Sequence, residues 1–541
     1  MRPLLLAFLL LQAPTFSQPP AYDVVISGAR LVDGSGTPWF YADIGIRGDT
    51  IASIGDLRGA TAASRIDAKG LVVAPGFLDI HTHARRGIFR DPVAQNYIRQ
   101  GVTTLLEGND GNSPIPLAPF LKSLTETRLG VNFGTFAGQG SIRQKIIGLD
   151  DRRATPEEIQ AMRELVRQAM RDGAFGLSTG LFYVPGNFTP TEEVIELAKV
   201  AGALGGMHIS HMRSEAAGVA DSVRETIRIG EEGGLPTQVT HHKTIGKDNW
   251  GRSVETLKLV EEARARGVDV TIDAYPYTAS STGTAALLPQ WSLAGGHKAL
   301  VERLGAPEQR TRIKATVVKN ILTDRGGGSA SNVVMAHCEF DPSLDGKSLA
   351  RIAAERGRGD TVEEAAETTL EIQNKGGCSA VFHAIAEEDV ERILRSPWTM
   401  IGSDGEVPEF GKAAPHPRSY GTFARVLARY VRERKVLTLE DAVHKMTAMP
   451  AARLKLFDRG LLRPGMKADL AIFDPARVQD TATFEKPHQY AEGFLWVLVN
   501  GKPVIANGKL TTERPGRVLY GPGGGARIPS PPVIPSFRLH D

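Results

Sequence analysis

Hydrophobic positions in both end regions of the chain alternate with polar ones and stop at turn residues. Between residues 22 and 70, short alternating runs end at Gly or Asp, which is typical of β-hairpins. The same pattern returns between residues 465 and 520, where Asp474-Pro475 and Asn500-Gly501 predict turns. Because the two β-rich pieces flank a long middle region, we predict that they form one small β domain.

The middle region, residues 71–464, alternates buried apolar runs with helical patterns. Eight runs predict strands, which end near Ile80, Glu107, Phe136, Ser178, Ile209, Thr240, Asp273 and Ser403. Strands that alternate with helices imply parallel βαβ units. Eight units predict an α/β fold with a TIM-like (β/α)₈ barrel, whose chemistry lies at the carboxyl ends of the strands. The stretch from about 285 to 395 is too long for one helix and loop, so it predicts an insertion that covers the site.

Helix starts in the barrel carry a local signal. In Thr155-Pro-Glu-Glu, the threonine can cap the helix, proline suits the first turn, and the acids complement the helix dipole. Thr189-Pro-Thr-Glu-Glu repeats that signal, and Thr438 is predicted to cap a third helix.

The extreme N-terminus has the pattern of a targeting segment. Arg2 precedes an apolar run from residue 4 to residue 11, and small and polar residues follow as far as Ser17. This run is shorter than the roughly 20 apolar residues that span a bilayer. Residues 1–17 therefore predict a secretory signal peptide, the alternative being a retained membrane anchor. We expect an exported protein, most simply periplasmic in a bacterium and free of the membrane after cleavage. Residues 521–541 are a tail.

Composition narrows the possible functions. The 41% hydrophobic and 23% charged residues indicate a globular protein. Lys and Arg number 64 against 61 Asp and Glu, and this near balance argues against a nucleic-acid binder. Cys338 and Cys378 are the two cysteines, too few for a disulfide framework, and their spacing leaves open whether they pair.

Histidines gather at the predicted strand ends. His81 and His83 are two residues apart on a strand, so both side chains can reach one metal ion. Neutral imidazole is a good ligand for Zn²⁺. The pairs His208/His211 and His241/His242 also follow strands, and Asp404 follows the last one. We expect His208 and His242 to lie in the core, because the neighbouring histidine takes the position that faces the metal.

Six segments of the chain resemble motifs of one enzyme family. They are Gly176-Leu-Ser-Thr-Gly-Leu-Phe-Tyr-Val-Pro-Gly, His211-Met-Arg-Ser-Glu, His241-His-Lys, Asp273-Ala-Tyr-Pro-Tyr, Gly402-Ser-Asp-Gly and His416-Pro-Arg-Ser-Tyr-Gly. With the order His-x-His, His, His, Asp, they resemble the N-acyl-D-amino-acid deacylase (D-aminoacylase) family of the amidohydrolase superfamily. The likeness covers roughly residues 22 to 520 and implies a metal-dependent barrel with a β-sandwich from both termini.

The chain departs from this family at one position. D-aminoacylases commonly place a bridging Cys ligand in a Gly-Asn-Cys-Gly turn after the second strand, whereas this chain has Asp110 there. The fourth strand carries no Lys or Glu that could bridge instead. The resemblance therefore implies Asp110 as the bridging ligand, with Glu107 as second choice, or else Asp110 merely caps the turn.

The resemblance also implies a reaction and the residues that perform it. One or two Zn²⁺ ions would be bound by His81, His83, Asp110, His211, His241 and Asp404. Asp404 would be the catalytic acid–base in the hydrolysis of the amide bond of an N-acyl-D-amino acid, a small-molecule substrate. Lys243, Tyr275 and Ser280 would hold the α-carboxylate. Arg418 would bind either a side-chain carboxylate of the substrate or a backbone carbonyl.

Two alternatives differ from the deacylase hypothesis. A cyclic-amide hydrolase or a dipeptidase would use the same barrel, but the cation of Lys243 beside Tyr275 favours an acyclic carboxylate substrate. A non-catalytic exported metal- or ligand-binding protein would retain the barrel without turnover. A serine hydrolase is disfavoured because the segment with Gly-x-Ser-x-Gly spacing, Gly176-Leu-Ser-Thr-Gly, does not form an elbow at a strand-to-helix turn.

Overall fold

The computed structural model describes residues 21–359 and 361–524. The signal peptide predicted for residues 1–17 and most of the tail predicted for residues 521–541 lie outside the described residues. Within the described ranges, no helix combines the length and the apolar character that crossing a bilayer requires.

Eight parallel strands form a closed barrel at the centre of the chain. They are Phe77–Asp79, Val102–Glu107, Asn132–Thr135 continued by Ala137–Gly138, Gly176–Gly180, Met207–His211, Thr237–Val239, Val270–Ala274 and Thr399–Ile401. Neighbours pair in sequence order, and a parallel bridge between Thr82 and Gly405 joins the first strand to the last. Each strand end lies at most two residues from the predicted one. The (β/α)₈ prediction is therefore confirmed.

Helices surround this barrel. They are Gln95–Ile98, Ala118–Glu126, Gln139–Ile147, Pro156–Asp172, Thr191–Ala203, Val219–Gly233, Ser253–Ala265, Glu387–Arg395, Arg418–Arg425 with the π-helical Val426–Glu433, Leu439–Met446 and Ala448–Arg453. Short 3₁₀ turns connect several of them.

Two of the three predicted helix caps are confirmed. The Thr155 hydroxyl accepts from the Glu158 amide in a capping box, and the Thr438 hydroxyl accepts from the Asp441 amide. The prediction for Thr189 is wrong, because the extended Pro190 takes the cap position and the helix begins at Thr191. The Thr189 hydroxyl instead accepts a hydrogen bond from the Gln139 amide group at 3.0 Å.

The stretch expected as an insertion contains its own sheet and core. Its antiparallel strands are Ser280–Gly283, Val333–His337 and Ser379–Phe382, and its helices are Gly296–Gly305, Pro307–Thr323, Leu349–Glu355 and Val362–Asn374. Leu300, Ile313 and Phe382 belong to a hydrophobic core that is separate from that of the barrel. Cys338 and Cys378 form a disulfide bond that joins two neighbouring strands of this sheet.

The two terminal pieces pair in one nine-stranded sheet. Its strands are Tyr22–Leu31, Phe40–Arg47, Thr50–Gly55, Ala62–Asp67, Val72–Pro75, Leu470–Phe473, Phe494–Val499, Lys502–Ala506 and Lys509–Leu510. Hydrogen bonding passes from one piece to the other where Val73 pairs with Ile472. The buried Asp469 carboxylate holds this domain to the barrel, because it accepts from Arg459 at 2.6 Å and from Asn132, on a barrel strand, at 3.1 Å.

Candidate metal centre

Two histidines extend from the end of the first barrel strand. His81 is fully buried, and His83 lies beside it with its ring centroid 5.8 Å away. The Nε2 atoms of His81 and His83 face the Asp110 carboxylate at 3.5 and 3.4 Å. They face the Asp404 Oδ1 atom at 3.6 and 3.0 Å. The donor atoms of these four side chains all lie within 4.8 Å of one another.

Asp110 also faces the histidines of the fifth and sixth strands. Its carboxylate lies 3.7 Å from the His211 Nδ1 atom and 3.5 Å from the His241 Nε2 atom. The donor atoms of Asp110, His211 and His241 form a second group within 4.8 Å. Asp110 belongs to both groups and is thus at the position of a shared, bridging ligand.

The turn that carries Asp110 has an unusual backbone. Asp110 has φ of 54°, and Gly108 and Gly111 have φ of 82° and 73°. Aspartate and glycine tolerate this left-handed region better than most residues do. Glu107, the second choice for a bridging ligand, points elsewhere: its carboxylate accepts from the Arg85 amide at 3.0 Å and faces the Arg85 Nε atom at 3.3 Å.

Further charged groups lie behind the rings that face Asp110. The His81 Nδ1 atom lies 3.3 Å from the Asp273 carboxylate. The His241 Nδ1 atom lies 2.8 Å from the Lys243 ammonium and 3.2 Å from the Glu215 carboxylate. At His81, a carboxylate beside the far ring nitrogen favours the tautomer that leaves the near nitrogen free to bind a metal.

The donor set fits a zinc centre. Among the described residues, the His81 Nε2 and Asp110 Oδ1 atoms, which face each other at 3.5 Å, are buried without a hydrogen-bond partner. Buried polar atoms without a partner are costly, so these atoms need a ligand. Burial alone would lower the pKa of His83, but the Asp110 and Asp404 carboxylates raise it to about 9. This cluster of side chains therefore attracts positive charge. Imidazole nitrogens and carboxylate oxygens are the ligands that Zn²⁺ accepts.

The other two histidines at these strand ends lie in the core. The His208 ring contacts the Thr179 and Thr237 hydroxyls at 2.9 and 2.8 Å, and the His242 ring contacts the Thr256 hydroxyl at 2.7 Å. Burial lowers the pKa of His208 to about 3 and that of His242 to about 4. Both are therefore neutral imidazoles that pair with hydroxyl groups.

Asp404 lies between the histidines and a cation. Its amide donates to the His81 carbonyl at 2.8 Å, which fixes the residue at the barrel rim. Its Oδ1 atom faces the histidines, whereas its Oδ2 atom is 2.8 Å from the Arg418 guanidinium. Arg418 also donates to the Ser281 carbonyl at 3.3 Å, so it contacts both a carboxylate and a backbone carbonyl.

The remaining residues expected to bind substrate are buried together. The Lys243 ammonium and the Arg418 guanidinium lie 5.4 and 4.9 Å from the centroid of the Tyr275 ring. The Tyr275 hydroxyl and the Ser280 hydroxyl are buried and have no hydrogen-bond partner among the described residues. These two hydroxyls and the Lys243 ammonium can therefore bind an anionic ligand.

A cavity of about 360 Å³ opens beside His83, Asp110 and Asp404. Its border includes metal-facing residues, the loop after the fourth strand and the insertion: His83, Asp110, Asp404, Tyr183, Val184, Pro185, Ser281, Thr282 and Ser379. The cavity thus connects the candidate metal centre to solvent.

Two site residues were missed from the sequence. Glu215 contacts Lys243 at 2.6 Å and Arg325 at 3.1 Å, and both cations are buried. Glu215 ends the quoted motif that begins at His211, so a buried role for it could have been inferred. Arg325 lies in the insertion, where no strand-end pattern marks it.

Comparison with known proteins gives consistent matches over most of the chain. Residues 65–505 match the model of the amidohydrolase family. The D-aminoacylase of Alcaligenes xylosoxydans xylosoxydans is 41% identical over 526 residues, which cover 93% of this chain and 98% of that protein.

Two solved structures are also similar. A D-aminoacylase described with a binuclear metal centre has a TM-score of 0.79 and 37% identity, over 92% of this chain and 100% of that one. The N-acyl-D-glutamate deacylase of Bordetella bronchiseptica, solved with zinc and a phosphonate inhibitor, has a TM-score of 0.79 and 34% identity over the same shares.

Substitution at the turn tests which carboxylate binds metal. We expect Asp110→Ala to lose bound zinc, measured by elemental analysis, because both donor groups lose a shared oxygen. Asp110→Cys should retain zinc, since thiolate is also a good ligand. Glu107→Ala is the matched control: it should retain zinc and lower the free energy of unfolding by about 1–3 kcal/mol, because the Arg85 amide loses its acceptor. Zinc loss from Glu107→Ala with zinc retained in Asp110→Ala would contradict the assignment.

Proposed function

This chain belongs to the amidohydrolase family, and on that premise we propose that it hydrolyses the amide bond of N-acyl-D-amino acids at a zinc centre. The observation that carries the proposal is that four histidines and two aspartates form two donor groups that share Asp110. His83, Asp110 and Asp404 of these groups border the cavity. The D-aminoacylase and the deacylase to which the chain is similar act on this class of substrate.

Six side chains would hold the metal. They are His81, His83, Asp110, His211, His241 and Asp404. Bound zinc lowers the pKa of water toward about 7 and polarises the scissile carbonyl.

Asp404 is the group placed to move the proton. Its Oδ2 atom is fixed by Arg418, so its Oδ1 atom is directed toward the histidines and the cavity. In our mechanism, Oδ1 accepts a proton from the attacking water and delivers it to the amide nitrogen as the C–N bond breaks. The products are a carboxylic acid and a free amino acid.

The α-carboxylate is bound beside Lys243. The Tyr275 and Ser280 hydroxyls, which have no hydrogen-bond partner in the described ranges, can donate to carboxylate oxygens, and the Lys243 ammonium supplies the charge. This buried cationic site supports an acyclic carboxylate substrate over a cyclic amide. The position of Asp404 supports a catalyst over a protein that only stores metal.

The cavity favours substrates with neutral side chains. Within the described part of the chain, both arginines on its border already have carboxylate partners: Arg86 is 2.7 Å from Glu406, and Arg418 is 2.8 Å from Asp404. An acidic side chain would lose its hydration and find both arginines engaged.

We also propose that the protein is exported. The signal-like N-terminal sequence supports this, and so does the bond between Cys338 and Cys378, because disulfides persist in oxidising compartments. Mass analysis of the mature protein from a periplasmic extract should show a chain that begins near residue 18. A full-length chain confined to the cytoplasm would contradict export.

A substrate panel tests the class of substrate. We expect hydrolysis of N-acetyl-D-leucine, and a kcat/KM for N-acetyl-D-aspartate and N-acetyl-D-glutamate that is at least about tenfold lower, because their carboxylates lack a free cation. N-acetyl-L-leucine and hydantoins are the controls and should be poor substrates. Release of free amino acid is the measurement. Faster turnover of the acidic substrates would refute the side-chain preference, and turnover of hydantoins alone would refute the deacylase.

Replacement of Asp404 tests the mechanism. Asp404→Asn has nearly the same volume, and four histidines and Asp110 remain, so much of the zinc should be retained. Turnover should fall by about 10²–10⁴-fold, because the amide cannot accept the water proton. Zinc content and kcat are measured on the same sample. If the variant keeps more than about a tenth of wild-type kcat, another group is the base.

A further inference from the structure

A buried group of three charged side chains lies behind the carboxylate site. The two carboxylate oxygens of Glu215 contact two different cations. Oε1 is 2.6 Å from the Lys243 ammonium, and Oε2 is 3.1 Å from the Arg325 guanidinium. The side chains of all three are at most 4% exposed. We name Glu215, Lys243 and Arg325 the charge triad.

Arg325 reaches this triad from the insertion. It follows the helix Pro307–Thr323, whereas Glu215 and Lys243 follow barrel strands. Its guanidinium lies 4.3 Å from the centroid of the Phe182 ring, so one face of the cation packs on an aromatic side chain. The contact between Arg325 and Glu215 is therefore an ionic link between the insertion and the barrel.

The charges of the triad do not cancel. Two cations face one carboxylate, which leaves one positive charge in excess. The nearby Arg418 does not change this balance, because its charge is matched by Asp404 at 2.8 Å. Asp324 precedes Arg325 in the chain, but burial raises the pKa of the Asp324 carboxyl, which favours its neutral form. Without Arg325, Glu215 would neutralise Lys243, and the excess would vanish. A buried excess charge is costly unless a further anion joins it. The α-carboxylate of the substrate is an anion that would bind beside Lys243.

We propose that Arg325 is a positioning residue that neutralises Glu215 and so leaves the charge of Lys243 available to the substrate carboxylate. The inference rests on the proposed function, since it assumes that Lys243 faces the α-carboxylate. It assigns to the insertion a role in substrate affinity, through a residue that need not touch the substrate.

The test compares a charged ligand with its neutral counterpart. N-acetyl-D-leucine carries the α-carboxylate, and N-acetyl-D-leucinamide has the same shape without the charge. In Arg325→Gln, we expect KM for the acid to rise about tenfold or more, equivalent to about 1.4 kcal/mol. The inhibition constant of the amide, measured against hydrolysis of the acid, should change by less than about twofold. Arg325→Lys keeps the charge and should restore most of the affinity for the acid.

A matched control separates this effect from lost stability. Arg143 and Glu193 form another buried pair of guanidinium and carboxylate in the barrel. Arg143→Gln should lower the melting temperature as Arg325→Gln does. It should leave unchanged the ratio of the KM for the acid to the inhibition constant of the amide. Zinc content should be equal to that of the wild type in every variant.

The outcomes distinguish this inference from the proposed function. The inference is wrong if Arg325→Gln weakens the binding of the acid and of the amide equally, or if it leaves the KM for the acid unchanged. Failure of the wild-type, zinc-loaded enzyme to hydrolyse N-acetyl-D-leucine would instead overturn the deacylase proposal itself.

Discussion

The site depends on one carboxylate that must lie within reach of four imidazoles. Asp110 meets this constraint because its turn reverses the chain directly after the second barrel strand, with left-handed backbone at Gly108, Asp110 and Gly111. A Cβ atom added at Gly111 would lie 2.8 Å from the Gly180 amide, so glycine lets the turn pack against the fourth strand. The histidines converge on the carboxylate from the ends of three barrel strands, and His241 does so from a turn of its own, with a left-handed φ of 33°.

The barrel and the convergence could be predicted because their signals are local. Apolar runs of strand length place His81, His83, His211 and His241 at strand ends, and parallel strands bring those ends to one rim. Asp110 could be named because it occupies the position of a family ligand. Its carboxylate is a harder ligand than the thiolate of the family pattern, which favours metals that prefer oxygen.

Features that arise from contacts between distant segments could not be predicted. Thr189 has the sequence of a helix cap, but Gln139 from another helix engages its hydroxyl. The residues around Arg325 in the sequence give no sign of its contact with Glu215. This contact forms only when the insertion packs on the barrel. Local patterns thus predict which groups end a strand, and tertiary packing decides which charges remain unbalanced.

The β domain, in which Val73 pairs with Ile472, has a consequence for biosynthesis. The strands of the N-terminal piece leave the ribosome long before the strand that completes their sheet. Contacts between residues that are so far apart in the sequence form slowly. The edge at Val72–Pro75 remains an unpaired template until almost the whole barrel has been synthesised. A nascent chain can pair its first five strands with one another, but it cannot complete this domain until the last strands have been synthesised.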